Sequence, residues 1–183
     1  MQRLKKPTVF LDRDGTIIED KIYLNDPDNI VYLPHAFESL SQLYHSGFQL
    51  VIVTNQSGIA KGIVDVRNLD EIHRRIRSEF HKHGVAIAGF YYAPYGVDSH
   101  HPVRKPGIGM LEYADRDFGV DFSRSWMVGD RMSDIEAGHR AGCKSILIKA
   151  LEKPEDFRDW APPEFVIESL RELPGLIVGG YRN

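Results

Sequence analysis

Short β-rich apolar runs alternate with segments of helical period along this chain, and that alternation constrains the fold more than any other feature. Thr8–Leu11 reads as a buried strand, followed by Phe48–Val53, Gly89–Ala93, Ser125–Val128, Lys144–Ile148 and Phe165–Ile167. Between the first two, Ala36, Phe37, Leu40, Leu43 and Tyr44 recur at helical spacing behind Pro34 and stop at Gly47. Val66, Leu69, Ile72, Ile76 and Phe80 form the stripe of a longer helix, with Asp65 placed to cap its start and Gly84 its end. A further helix is expected from Met110 to Phe118. Ser133–Glu136 and Ser169–Glu172 match the S-x-x-E capping box, so helices are expected to begin there. Glu152–Pro163 is charged and proline-bearing and reads as a surface connection.

Strands separated by helices imply a parallel sheet covered on both faces, a Rossmann-like three-layer α/β sandwich. A length of 183 residues suits one such domain over residues 1–183. In open parallel sheets ligands bind beyond the carboxyl ends of the strands. That rule selects Asp12-Arg13-Asp14-Gly15-Thr16 after the first strand and Thr54-Asn55-Gln56-Ser57-Gly58 after the second. It also selects Arg104-Lys105 after the third, and Asp130 and Asp134 after the fourth.

Taken singly, these pieces are ordinary. A lone D-x-D is usually a solvated turn, Thr54 a turn or cap residue, and Lys105 a surface lysine. Taken together, they converge carboxylates, a hydroxyl and an ammonium on one rim. Asp12 and Asp14, two apart, face the same side of extended chain. Their repulsion is relieved by a hard cation, and oxygen ligands suit Mg²⁺. Asp130 completes the protein ligands. Such a rim suits phosphoryl transfer: one carboxylate attacks phosphorus, another exchanges protons, and Lys105 with the metal offsets charge on the oxygens.

The formal net charge is −3 with no basic block, which speaks against a nucleic-acid partner. No run approaches the ~20 apolar residues that span a bilayer. Met1–Thr8 is basic but has no apolar signal core behind it. The lone cysteine, Cys143, precludes an internal disulfide, so a cytoplasmic setting is expected and the thiol is read as buried.

The motifs resemble those of the haloacid dehalogenase (HAD) superfamily: VFLDRDGT, Thr54, Lys105 and the Gly129-Asp130…Asp134 pattern, covering about Thr8 to Leu173. The resemblance implies that Asp12 is the nucleophile and a metal ligand. It makes Asp14 the acid/base, offering its backbone carbonyl to Mg²⁺, and Asp130 the third ligand. Asp134 would stand behind them, holding Lys105 or a metal-bound water. Dehalogenases lack the second aspartate, so a phosphatase is implied. With 39 residues between Asp14 and Thr54 and 50 between Thr54 and Lys105, neither gap has room for a cap domain.

LDRDGTII, VTNQSGIAKG and RKPGIGM resemble the subgroup that holds heptose-bisphosphate and histidinol-phosphate phosphatases, with the heptose branch the nearer match. The likeness implies removal of the C7 phosphate of a heptose 1,7-bisphosphate by a monomer. Histidinol phosphate and a polynucleotide 3′-phosphate are the alternative substrates, and a silent binding module the alternative class. Substrate contacts would come from Asp20, Lys21, Ile22, Tyr23, Asn55, Gln56, Ser57, Arg104 and Arg131. Arg13 would be a further substrate contact and Lys61 a further candidate; Arg13, Lys61 and Arg131 each have an alternative reading as surface residues. One departure stands out. The subgroup's C-x-H and C-x-C zinc ligands are replaced by Ala93-Pro94-Tyr95 and His101-Pro102-Val103, so no zinc is expected. His100 and His101 read as loop or substrate-facing residues.

Overall fold

The computed structural model describes residues 4–149 and 159–179. Its centre is β1 (Thr8–Leu11), whose residues are all buried, as expected for a strand covered on both faces. β1 pairs in parallel with β2 (Gln49–Asn55) on one side and with β4 (Trp126–Gly129) on the other. β3 (Ile87–Ala93), β5 (Lys144–Ile148) and β6 (Phe165–Ile167) complete a six-stranded parallel sheet in the order β3-β2-β1-β4-β5-β6. The order reverses at the β1/β4 junction, where such sheets open a crevice for ligand.

Alternation along β1 sorts the two faces. Val9 and Leu11 point into a cluster with α1 (Ala36–His45), α3 (Val66–Lys82) and α6 (Leu173–Gly179), through Leu40, Leu43, Ile72, Ile76, Phe80 and Ile177. Phe10 points the other way, toward Met110, Leu111 and Ala114 of α4 (Gly109–Phe118). α5 (Met132–Ala141) closes the sheet near β5 through Met132, Ile135 and Leu147. Helices on both faces of a parallel sheet are the expected three-layer architecture. Cys143 is buried, as read from the sequence.

The differences are local. β2 extends to Asn55 and β3 begins at Ile87, because backbone pairing with the neighbouring strand continues beyond the apolar run. Val66 is 39 % exposed although it belongs to the helical stripe, since it sits on the first residue of α3. Asp65 caps that helix by accepting from Arg67 N. The capping contact expected from Ser133 and Glu136 is made by Asp134, whose Oδ2 accepts from Arg131 N at 3.1 Å. Ser169 and Glu172 do form a capping box, but around a 3₁₀ turn that leads into α6. The short helix α2 (Ser57–Ala60) was not legible as a period. Most of the expected surface connection Glu152–Pro163 lies outside the described residues.

Candidate active site

Asp12 leaves the end of β1 with its backbone N–H donating to Val128 of β4 at 2.9 Å, so the β1/β4 junction sets its position. Asp130 and Asp134 come from the far end of β4 and the first turn of α5. Ligand atoms of Asp12, Asp130 and Asp134 lie within 4.8 Å of one another, and all three residues are buried. Gly15 makes that approach possible. It has φ +75°, and a Cβ there would stand 2.3 Å from Asp130 Oδ2, so both the backbone conformation and the space require glycine.

Lys105 is 2 % exposed and uses its ammonium fully. Nζ lies 2.6 Å from Asp12 Oδ1, 2.6 Å from Asp134 Oδ1 and 2.8 Å from the Val53 carbonyl. Burial opposes its charge, but the two carboxylates outweigh burial and raise its pKa. The loop bearing it is fixed by Asn55, whose Oδ1 accepts from Lys105 N and whose Nδ2 donates to Lys105 O, each at 3.1 Å. Asn55 therefore spends its side chain on the protein backbone.

The carboxylates are over-crowded for a site without a cation. Burial pushes the Asp12 carboxyl well above its ordinary value; Lys105 works against this, while Asp134, Asp130 and Asp14 add to it. Burial, then Asp134, pushes Asp130 up to about 7 despite Arg131 and Lys105. Asp134 has both oxygens engaged, one by Lys105 and one by Arg131 N. Asp130 Oδ1 is buried without a hydrogen-bond partner. A buried orphan oxygen beside a second carboxylate fits a hard divalent cation. The donor set therefore suits Mg²⁺, with Asp12 and Asp130 presenting oxygen and Asp134 standing behind them.

Asp14 does not join that cluster with its carboxylate. Gln56 Nε2 donates to its Oδ2 at 2.9 Å, and Thr54 Oγ1 lies 3.4 Å from the same oxygen. Arg13 grips it from beneath, with Nε and Nη2 each reaching both carboxylate oxygens at 2.9–3.2 Å. Arg13 is 1 % exposed and still borders the site cavity, with its guanidinium turned to Asp14. Its Nη1 meets His73 Nε2 at 3.2 Å. Gln56, also expected to touch substrate, is buried and bridges Asp14 and Thr54.

Arg13, Asn55 and Gln56 share with further candidates a cavity of about 450 Å³. Asp20, Ile22, Tyr23, Ser57, Arg104 and Arg131 all line it. Asp20 shapes the flap: Oδ1 accepts from Ile22 N at 2.7 Å, and Oδ2 from Arg131 Nη2 at 3.3 Å. Ile22 is 79 % exposed with φ 65°, an uncommon conformation for a β-branched residue. Lys21 instead pairs outward with Glu19. Lys61 donates to Tyr23 Oη at 2.6 Å at the rim. Burial and the nearby Arg131 both lower the Arg104 pKa, so two guanidinium groups face the cavity against mutual repulsion.

At the four positions where the subgroup places its zinc ligands, Ala93 and Val103 are buried in the apolar cluster under α4. Tyr95 stacks on His101 with centroids 3.6 Å apart. The feature that sequence reasoning missed is His73. Its only signal is a polar residue inside the buried stripe Leu69, Ile72, Ile76 and Phe80.

A parallel sheet with order β3-β2-β1-β4-β5-β6 and a lysine-bridged carboxylate cluster at its reversal point define an enzyme-like site on a Rossmann-like α/β fold. The HAD-hydrolase-like family pattern matches residues 102–173. Over 180 residues, 94 % of this chain, the sequence is 34 % identical to the D-glycero-β-D-manno-heptose-1,7-bisphosphate 7-phosphatase of Photorhabdus laumondii, covering 96 % of that protein. The enzyme of the same name from Escherichia coli is 33 % identical, with 93 % of each chain covered. The D,D-heptose 1,7-bisphosphate phosphatase of B. bronchiseptica, solved with magnesium and phosphate, superposes with a TM-score of 0.83 at 28 % identity, covering 95 % of this chain and 99 % of that one. The chain belongs to this family of HAD-like hydrolases.

Proposed function

We propose that this protein is a Mg²⁺-dependent phosphatase that removes the C7 phosphate of D-glycero-D-manno-heptose 1,7-bisphosphate, leaving heptose 1-phosphate. The observation that carries the reading is Asp12, fixed at the end of β1 with Oδ1 on the Lys105 ammonium and set beside the orphaned Asp130 oxygen. Asp12 attacks phosphorus and forms an aspartyl phosphate as the ester P–O bond breaks. Asp14 protonates the departing C7 oxygen. In the second half it takes a proton from water, which attacks the same phosphorus and releases phosphate and free Asp12. Thr54 and Gln56 orient Asp14. Lys105 holds Asp12 and offsets charge on the transferring group.

Asp12, Asp130 and the Asp14 backbone carbonyl would hold Mg²⁺. When bound, the ion neutralises the carboxylates and the phosphate oxygens. Arg104 and Arg131 offer fork-shaped donors to the phosphate that is not cleaved. Their mutual repulsion in the free protein is relieved by a dianion. No cap-sized insert interrupts the core among the described residues, so we assign selectivity to the flap around Asp20–Tyr23 and the loop of residues 94–107.

Phosphate release measured with Mg²⁺ on both anomers of heptose 1,7-bisphosphate, with histidinol phosphate and fructose 1,6-bisphosphate alongside, tests the reading. A strong preference for one heptose anomer is expected, with Asp12→Asn lowering kcat by at least roughly 10³-fold. Preference for histidinol phosphate would reject the heptose assignment. Turnover surviving in Asp12→Asn would reject the mechanism.

A further inference from the structure

The loop of residues 94–107 carries Arg104 to the cavity rim, and its architecture shows what holds that residue in place. Its ends are anchored by burial: Ala93 and Val103 sit in the same apolar cluster, with Tyr95 packed against it. Beyond Arg104, the Lys105 backbone is clamped by Asn55. Between these anchors lies the stack of Tyr95 on His101, with centroids 3.6 Å apart and the rings inclined by only 14°.

Both residues of the stack bond directly to Arg104. Its N–H donates to the His101 carbonyl at 2.8 Å, and its Nη1 donates to the Tyr95 carbonyl at 3.0 Å. His101 is locked in turn, because Nδ1 accepts from Val103 N at 3.2 Å. The hold has a clear physical purpose. Arg104 faces the like charge of Arg131, which repels it even though Asp20 pairs with Arg131 at 3.3 Å. A long, flexible side chain under that repulsion swings toward solvent unless something opposes it. The Tyr95 carbonyl holds one end of the guanidinium and the ring stack holds the Tyr95 carbonyl.

We propose that Tyr95 and His101 are a positioning pair for substrate selection: their stacked rings present Arg104 to the second, uncleaved anionic group of the substrate. The inference rests on the reading above that the substrate carries two phosphates and that Arg104 meets the distal one. Neither ring touches the reacting atoms. Their effect is on KM for substrates that own a second anion, and a simple monoester is indifferent to it.

Steady-state kinetics on heptose 1,7-bisphosphate and on 4-nitrophenyl phosphate test this in the full chain with Mg²⁺. Tyr95→Ala is expected to raise KM for the bisphosphate roughly tenfold, the scale of one charge-assisted contact, with kcat within about twofold. Its kcat/KM for 4-nitrophenyl phosphate should stay within about twofold of the unaltered protein. Tyr95→Phe, which keeps the ring and the carbonyl, should restore the bisphosphate KM. Adding Tyr95→Ala to Arg104→Ala should cost little beyond Arg104→Ala alone, because both remove one contact. His101→Asn removes the ring but retains an acceptor for Val103 N–H, and serves as an independent variant should Tyr95→Ala not fold.

An unchanged bisphosphate KM in Tyr95→Ala or His101→Asn, while Arg104→Ala raises it, overturns the proposal. Equal losses on both substrates also overturn it, since they indicate a role in folding alone. An unchanged bisphosphate KM in Arg104→Ala removes the contact itself; the assignment of Arg104 in the proposed function then fails, and the positioning role fails with it.

Discussion

Arg13 shows how much of this site is decided by a guanidinium whose donors are already engaged within the protein. A buried guanidinium must be paired, and here its donors divide between the Asp14 carboxylate and His73 Nε2. His73 can accept only as the neutral imidazole. Burial, then Arg13 and Arg77, lowers its pKa to about 3, which keeps it neutral. The folded value lies below the unfolded one near 6.5. This group's contribution to stability is therefore complete above about pH 6.5 and is lost as pH falls from there toward 3. His73→Phe leaves Arg13 Nη1 without its acceptor and should destabilise the protein by about 1–3 kcal/mol, the cost of an unpaired buried donor. Urea denaturation at pH 7.5 measures it. His73→Gln keeps an acceptor within reach and should recover much of the loss; equal losses in both variants would mean that packing against Phe90, not the Arg13 contact, is what His73 supplies.

Among the elements, α5 is the one whose packing the site depends on, because it carries Asp134 and follows Asp130. It lies close against the sheet at Gly138, where a Cβ would stand 2.6 Å from Met127 Cβ and 2.6 Å from Ser145 Oγ. Gly138→Val should force α5 away from β4 and β5 and destabilise by about 1–3 kcal/mol or more, as overpacking does. Thermal unfolding should show the loss, and Mg²⁺ affinity should weaken with it, since Asp134 moves with the helix and Asp130 stands two residues before it. A variant as stable as the parent would show that α5 has slack. The reliance on close approach also marks what could be read beforehand. The inner strands were legible because buried parallel strands are continuous apolar runs; the edge strand Phe165–Ile167 stands where the pattern put it although Phe165 and Val166 are exposed. α2, at four residues, is shorter than the window a helical period needs, and α6 was announced only by the Ser169 capping box, because Pro174 and Gly175 within LPGLIVG mask its period. At the site, strand ends located Asp12, Thr54 and Asp130, because topology brings them to one edge, while Lys105 reaches it from the loop after β3. The burial of Arg13 was not legible: arginines are mostly exposed, and only the tertiary meeting with His73, 60 residues away, reverses that preference.

For the molecule as a whole, the carboxylate cluster trades stability for a cation site, and the trade can be measured by removing either partner. Asp130 is pushed up to about 7, above an unfolded value near 3.9. The native state then holds this proton more tightly than the unfolded chain, so in metal-free protein the group's contribution is greatest at acid pH and is lost as pH rises from about 4 to about 7. His73 runs in the opposite direction over the lower part of that range and the raised Asp12 in the same direction, so the pH dependence of the parent alone mixes these groups. Comparison with Asp130→Asn separates them. In EDTA at pH 8, Asp130→Asn should be more stable than the parent, because it fills nearly the same space without the charge. At pH 4 the difference should largely vanish. Mg²⁺ at about a hundred times its dissociation constant should stabilise the parent by about 2.7 kcal/mol, which for a chain of this length shifts Tm by roughly 5–10 °C. The same addition should leave Asp130→Asn almost unmoved, so the two melting curves cross as metal is added. Curves that do not cross, with Asp130→Asn less stable than the parent even in EDTA, would mean that the unpartnered Asp130 oxygen is satisfied without a cation and that the cluster is structural. Curves that cross tie Mg²⁺ binding to the same orphaned oxygen on which the phosphatase reading rests.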